Sequence, residues 1–156
     1  MQEHHRHIKT ILEFSTSASK VAPKAHESIP QPVAEDWIEA QKAFGVGAAK
    51  SAAVMCRRVL YGILLDKKCK EHPLYEGLQQ LAMQERLPQV VEAWLNEIKE
   101  EGHDAARPRR ALQVPAENVA ETMEYTKELR RFVYIEPFEL KQRLQRKAAQ
   151  TQPAQP

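Results

Sequence analysis

The strongest pattern in the chain is an apolar stripe near its middle. Apolar residues recur every three or four positions, namely Ala49, Ala52, Ala53, Cys56, Val59, Leu60, Ile63 and Leu64. This spacing places all of them on one face of an α-helix. The stripe therefore predicts a central helix that packs against the core along its whole length.

The same period predicts further helices on both sides of the central one. Before it, Trp37, Ala40, Gln41 and Phe44 share a face, and Gly45 ends or bends that helix. After it, helices are expected from Pro73, from Pro88 to about Glu100, and from Pro115. Their inward positions are Leu74, Leu78, Leu81 and Ala82, then Val90, Val91, Trp94, Leu95 and Ile98, then Val119, Thr122, Met123, Thr126, Leu129 and Val133.

The two ends of the chain have a different composition. Residues 1–32 are rich in Ser, Thr, Ala and Pro, which predicts an extended N-terminal arm. Pro137 is expected to break the last core helix before a basic amphipathic segment, and residues 148–156 are expected to form a disordered tail. The domain itself is then 33–147, and the fold class is all-α, a bundle of four to five principal helices.

Composition narrows the classes of function. The 156 residues contain 23 Lys and Arg against 21 Asp and Glu, a net charge of +2, so any nucleic-acid site must be local. Two cysteines far apart support neither a disulfide framework nor a zinc site, which favours a reduced, cytoplasmic setting. No apolar run is long enough to span a membrane, and no phosphate loop or metal motif occurs. We expect no membrane contact, no metal and no cofactor.

The two cysteines are weak candidates for chemistry. Cys56 lies on the central stripe, which indicates a buried packing thiol rather than a nucleophile. His72 follows Cys69 by three residues, but no third group orients the pair, so it gives only a weak catalytic signal.

Arginines and lysines supply the candidate nucleic-acid contacts. Arg57 and Arg58 flank the stripe, where they could bind phosphate or pair with a carboxylate such as Glu39. A second group of cations surrounds a charged turn and consists of Lys99, Arg107, Arg109 and Arg110. These cations could bind phosphate, although nearby glutamates could neutralise their charge. In the same turn His103 could act as a general base, or it could cap a helix or face solvent.

The predicted last helix is basic and amphipathic. Its cations are Lys141, Arg143, Arg146 and Lys147, and its apolar residues are Phe138, Leu140 and Leu144. Such a helix could be solvated, or it could lie on nucleic acid, a membrane or a partner.

Several segments in order resemble a known family. They are Ile29-Pro-Gln-Pro-Val33, Asp36-Trp-Ile-Glu-Ala40, residues 48–60 (AAKSAAVMCRRVL), Leu78-Gln-Gln-Leu81, Leu87-Pro88 and the turn at Gly102. Together they resemble domain-of-unknown-function family 4145, a member of the HEPN-like helical superfamily, over about residues 28 to 137.

The resemblance implies a homodimer related to metal-independent RNases, whose arginine and histidine lie at this turn with two protomers facing each other. Here Lys99 stands near the arginine position, His103 replaces an asparagine, and Arg107 occupies the histidine position. A lysine lacks the guanidinium fork, and a permanently protonated arginine cannot accept a proton. Relatives often accompany phage-defence enzymes.

The expected function is therefore a non-catalytic, dimeric HEPN-like interaction module that binds a protein or nucleic acid, RNA or DNA, in a prokaryotic or phage defence context. The alternative is an RNase whose active pair has migrated to His103 and Arg107.

Overall fold

The computed structural model describes residues 25–95 and 116–151, and its regular structure there is helical throughout, which confirms the all-α prediction. A π-helical segment, Arg131–Ile135, joins the last two helices. In chain order the helices are α1 (Gln31–Gly45), α2 (Ala49–Asp66), α3 (Leu74–Gln84), α4 (from residue 89 through at least 95), α5 (Ala116–Arg130) and α6 (Glu136–Thr151).

Helix α2 is the centre of the core, as its stripe predicts. Six stripe positions are buried and the two remaining alanines are half-buried; the buried ones are Ala52, Cys56, Val59, Leu60, Ile63 and Leu64. Helices α1, α3 and α5 all pack against α2. The α1–α2 approach is close, because a Cβ added at Gly62 would lie only 3.1 Å from a methyl of Val33. Small residues at this contact let the two helices come together.

Helix α1 confirms part of its predicted face and corrects the rest. Trp37 and Ala40 are buried and Phe44 is half-buried, but Gln41 is exposed. One step along a helix turns the side chain by about 100°, which carries the polar Gln41 out to solvent. The helix also begins at Gln31, inside the predicted arm, and Ile29 before it is already part of the core.

Helices α3 and α4 both contribute buried side chains to the core. Leu78, Leu81 and Ala82 of α3 are buried as predicted. In α4 the prediction holds for Val91 and Leu95 but is wrong for Val90, which is 48% exposed. Trp94 stacks on Tyr125 of α5 with ring centroids 5.3 Å apart, so aromatic stacking joins α4 to α5. The predicted positions Ile98, Gly102 and Pro115 lie outside the described residues.

The expected break at Pro137 is wrong. Arg130 and Glu136, on either side of the π-helical segment, both have right-handed helical backbone angles, so α5 runs on into α6. Glu136 donates its N–H to the carbonyl of Arg131, five residues back, so a wider π-turn directly precedes the proline. Helix α6 then continues to Thr151, four residues into the segment predicted as a disordered tail.

Candidate interaction surfaces

The outer face of α2 lies opposite its buried stripe and points into solvent. We define this outer face by Lys50, Val54, Arg57, Arg58, Tyr61 and Leu65, which fall at helical spacing. Val54 and Leu65 are 60% and 65% exposed. Asp66, at the end of the helix, is the only acidic residue in α2, so the outer face carries three cations, Lys50, Arg57 and Arg58, and no carboxylate of its own.

Aromatic rings and a cation meet at the middle of this outer face. The guanidinium carbon of Arg57 lies 5.9 Å from the centre of the Tyr61 ring, within the range of a cation–π contact. On the neighbouring loop the His72 ring lies 5.1 Å from the Tyr61 ring, tilted by 48°. Arg57 and His72 are exposed and Tyr61 is half-buried. The arrangement offers π-faces and a positive charge on one accessible patch.

Arg58, the neighbour of Arg57, is tied to α1. Its Nε lies 3.1 Å from Oδ1 of Asp36, and the arginine side chain remains 63% exposed. The expected carboxylate therefore does come from α1, but it is Asp36 rather than Glu39. An exposed pair of this kind contributes little to stability.

The cysteines lie in packed surroundings. Burial raises the pKa of the Cys56 thiol to about 11, although a hydrogen bond with Thr126 acts in the opposite direction. Cys56 is therefore a protonated packing residue, as predicted. Burial also raises the pKa of Cys69, whose Sγ lies 3.7 Å from both the Lys67 carbonyl and Oε1 of Gln84. The structure pairs His72 with Tyr61 rather than assembling a reactive Cys69–His72 pair.

A second surface surrounds the start of α6. A groove of about 710 Å³ runs between the 85–88 loop, the π-helical segment and α6. Its apolar lining comprises Leu87, Pro88, Phe132, Ile135, Pro137 and Leu140, and its charged lining comprises Glu85, Arg86, Arg131, Glu136, Glu139 and Arg143. None of the 16 residues of α6 is buried, and Leu140 and Leu144 are 57% and 59% exposed.

Arg130 is a buried cation that the sequence pattern does not reveal. It is 8% exposed, and its guanidinium carbon lies 4.5 Å from the centre of the Trp37 ring. Burial lowers its pKa to about 10. Within the described parts of the chain its Nε has no hydrogen-bond partner. Arg130 could be placed beside the core from its position between Leu129 and Val133, but its stacking on α1 depends on the tertiary fold.

The remaining candidates lie outside the described residues. They are Lys99, His103, Arg107, Arg109 and Arg110. The predictions that they form a phosphate-binding cluster or a catalytic pair therefore stay predictions. Within 25–95 and 116–151, no group of three or more His, Cys, Asp or Glu is placed to hold a metal ion. Across the same residues, no helix is both long and apolar enough to cross a membrane.

The fold and its surfaces define a small all-α domain with a cationic helix face and a C-terminal helix that has no buried residue. Residues 38–152 match the family described as a domain of unknown function, DUF4145, and the chain belongs to that family. No curated protein and no solved structure matches the chain.

Proposed function

We propose that this chain is a non-catalytic, HEPN-like interaction module that works as a homodimer and binds single-stranded nucleic acid through the outer face of α2. The observation that supports it best is the contact of Arg57 with Tyr61 beside His72 on an exposed surface. Single-stranded nucleic acids are bound by aromatic rings on which bases stack and by cations that follow the phosphates.

The two adjacent arginines have different roles in this proposal. Arg58 is paired with Asp36 of α1, so its charge is already offset within the chain. Arg57 forms no ion pair within the described residues, so its charge is available to a phosphate while its guanidinium stays against Tyr61. Arg57 and Arg58 are therefore matched test positions. Both carry the same charge and both are exposed, and they differ in their local partner.

The test is fluorescence anisotropy with a short labelled single-stranded RNA over a range of salt concentrations. We expect Arg57→Ala to weaken binding and to reduce the slope of log affinity against log salt by about 1. Tyr61→Ala should weaken binding by about fivefold to 150-fold, the range for losing one stacked base. Tyr61→Phe, which keeps the ring, should bind like the unchanged protein.

Arg58→Ala is the control and should bind nearly as tightly as the unchanged protein. Equal affinities of the Arg57 and Arg58 variants, or an affinity that does not respond to salt, would refute this use of the α2 outer face. Tighter binding of a duplex than of the single strand would contradict the stacking role of Tyr61.

The non-catalytic part of the proposal rests on Lys99 and Arg107 standing where relatives carry arginine and histidine. Purified protein incubated with single-stranded RNA and transfer RNA in the presence of a chelator should leave both intact. Cleavage that disappears in the His103→Ala variant would instead support the RNase alternative with His103 and Arg107 as the active pair. The proposed prokaryotic or phage defence setting rests on the same resemblance.

A further inference from the structure

Helix α6 presents an apolar strip that nothing in the described structure covers. Leu140 and Leu144 lie one turn apart on the same face, and Pro137 continues that face towards the groove. Both leucines are more than half exposed. At 1.5 Å per residue the 16 residues of α6 are about 24 Å long, enough for side-by-side contact with another helix.

Charge is divided unevenly along α6. Glu136 and Glu139, in its first turn, are its only acidic residues. Every cation of α6 follows them, namely Lys141, Arg143, Arg146 and Lys147. A helix that is acidic at one end and basic over the rest is complementary to a copy of itself running in the opposite direction. Two parallel copies would place like charges together instead.

We propose that α6 pairs antiparallel with α6 of a second copy of this chain, with the Leu140–Leu144 strip at the centre of the contact. This inference deepens the homodimer of the proposed function by giving it an interface. The same surface patch is used on both copies, as a two-fold symmetric dimer requires. The groove beside Ile135 and Leu140 extends the apolar contact beyond the helix pair.

The register follows from matching the leucines. With Leu140 of each copy level with Leu144 of the other, Glu136 is level with residue 148 and Glu139 with residue 145. Helical geometry at 3.6 residues per turn puts Glu136 and Lys147 on the same flank of the strip. Glu136 of one copy, which also pairs with its own Arg131, then lies beside Lys147 of the other, and this contact occurs twice. Lys141 and Arg143 both come within one residue of the two-fold axis and so near their own copies, and the charge of Arg143 is offset by its own Glu139, 3.9 Å away.

The first test measures the mass of the full chain by light scattering after size exclusion, from low to high micromolar concentration. We expect a dimer whose dissociation constant rises by about tenfold or more in Leu144→Gln, because an apolar contact is replaced by a polar side chain. Leu65→Gln is the matched control, since Leu65 is 65% exposed on the outer face of α2. It should leave the mass unchanged. A monomer at every concentration, or equal loss in both variants, would overturn the proposal.

The second test checks the antiparallel register by exchanging charges. Lys147→Glu and Glu136→Lys should each be monomeric alone, because each places like charges beside one another twice. An equal mixture should form a heterodimer, in which both contacts are attractive again. No recovery on mixing would contradict the register. Circular dichroism checks that each variant folds. Glu136→Lys removes the Arg131 partner, and if this variant does not fold, loss of the dimer in both Lys147→Glu and Leu144→Gln is the deciding result.

The same variants separate this inference from the nucleic-acid proposal. An oligonucleotide short enough to contact one protomer should bind Leu144→Gln as tightly as the unchanged chain. Loss of the dimer with unchanged nucleic-acid affinity supports the interface and leaves the α2 site standing. A dimer that persists while Arg57→Ala changes nothing would instead remove the nucleic-acid site alone.

Discussion

Gly77 stands where α3 comes closest to the loop before it. A Cβ added there would lie 1.9 Å from the Lys70 carbonyl oxygen and 2.7 Å from a methyl of Leu64. The first neighbour is backbone, which cannot turn aside as a flexible side chain can. The close approach lets Leu78, the next residue, reach the core, where it is 1% exposed. Gly77 is therefore required by space rather than by backbone angle.

Gly77→Ala should lower the free energy of unfolding by about 1–3 kcal/mol, the usual range for overpacking a core. Urea denaturation followed by circular dichroism measures the change. Gly45→Ala is the comparison, because a Cβ at Gly45 would meet nothing within 4 Å. If the two variants were equally stable, the close approach of α3 to the 70–73 loop would be wrong.

At the scale of residues, the sequence predicts burial better than it predicts partners. Cys56, Ile63 and Leu64 are buried because their spacing on one helix decides it. The partner of Arg58 is Asp36 rather than Glu39, since that choice depends on how α1 and α2 align. The Arg57–Tyr61 contact was open to prediction, because residues four apart on a helix are neighbours.

At the scale of elements, α6 differs from the other helices because none of its side chains is buried in the core. Its most enclosed contact is Phe138, which is half-buried and lies edge-on to His26 with ring centroids 5.5 Å apart. Beyond Glu139 every described residue is exposed. The second half of α6 therefore extends from the bundle as a continuation of α5.

Ending the chain after Glu139 should leave the thermal midpoint of the dilute protein within about 3 °C of the full chain, because no buried side chain is removed. The same truncation should abolish the dimer. Calorimetry at low concentration measures the first effect and light scattering the second. A large fall in the midpoint would mean that α6 contributes to the fold of the single chain.

Helix positions were predictable from the sequence and helix junctions were not. Pro73 and Leu87 bracket α3 as expected, because here the proline and the end of the apolar period do mark the helix boundaries. Pro137 carries the same signal, yet the helix continues. A π-helical turn depends on how the flanking helices pack, and the residue pattern of Arg131–Ile135 does not distinguish it from an α-turn.

At the scale of the whole molecule, a net charge of +2 conceals a strong separation of charge between surfaces. The outer face of α2 is cationic, whereas the start of α6 is acidic and its remainder basic. The average charge excluded a uniformly basic surface, but only the fold shows which charges share a face. The proposed site could be predicted as far as Arg57, and its aromatic part required the loop that brings His72 to Tyr61.

The buried thiol of Cys56 should make stability depend on pH. Its pKa is about 11 in the folded chain against an ordinary value of 9.0, so the folded state keeps a proton that the unfolded chain loses. Its contribution is complete below pH 9 and is lost towards pH 11, by at most about 3 kcal/mol.

The measurement compares urea unfolding of the unchanged protein with Cys56→Ala at several pH values. The advantage of the unchanged protein should shrink as pH rises from 9 to 11. Taking the difference removes the contributions of Tyr134 and Arg130, whose pKa values are also shifted. A constant difference would show that the thiol ionises equally in both states.

The π-helical segment has one more consequence, which concerns the phase of the apolar pattern. Val133, Leu140 and Leu144 follow one another at intervals of seven and four, so an uninterrupted α-helix would point all three towards the core. A five-residue hydrogen-bonded turn takes in one residue more than an α-turn and rotates everything after it by about 100°. Val133 stays buried, and the two leucines are turned out of phase with it. One extra residue in one turn thus takes the two leucines out of phase with the core stripe, on a stretch of α6 that lies beyond the bundle and is exposed on every face.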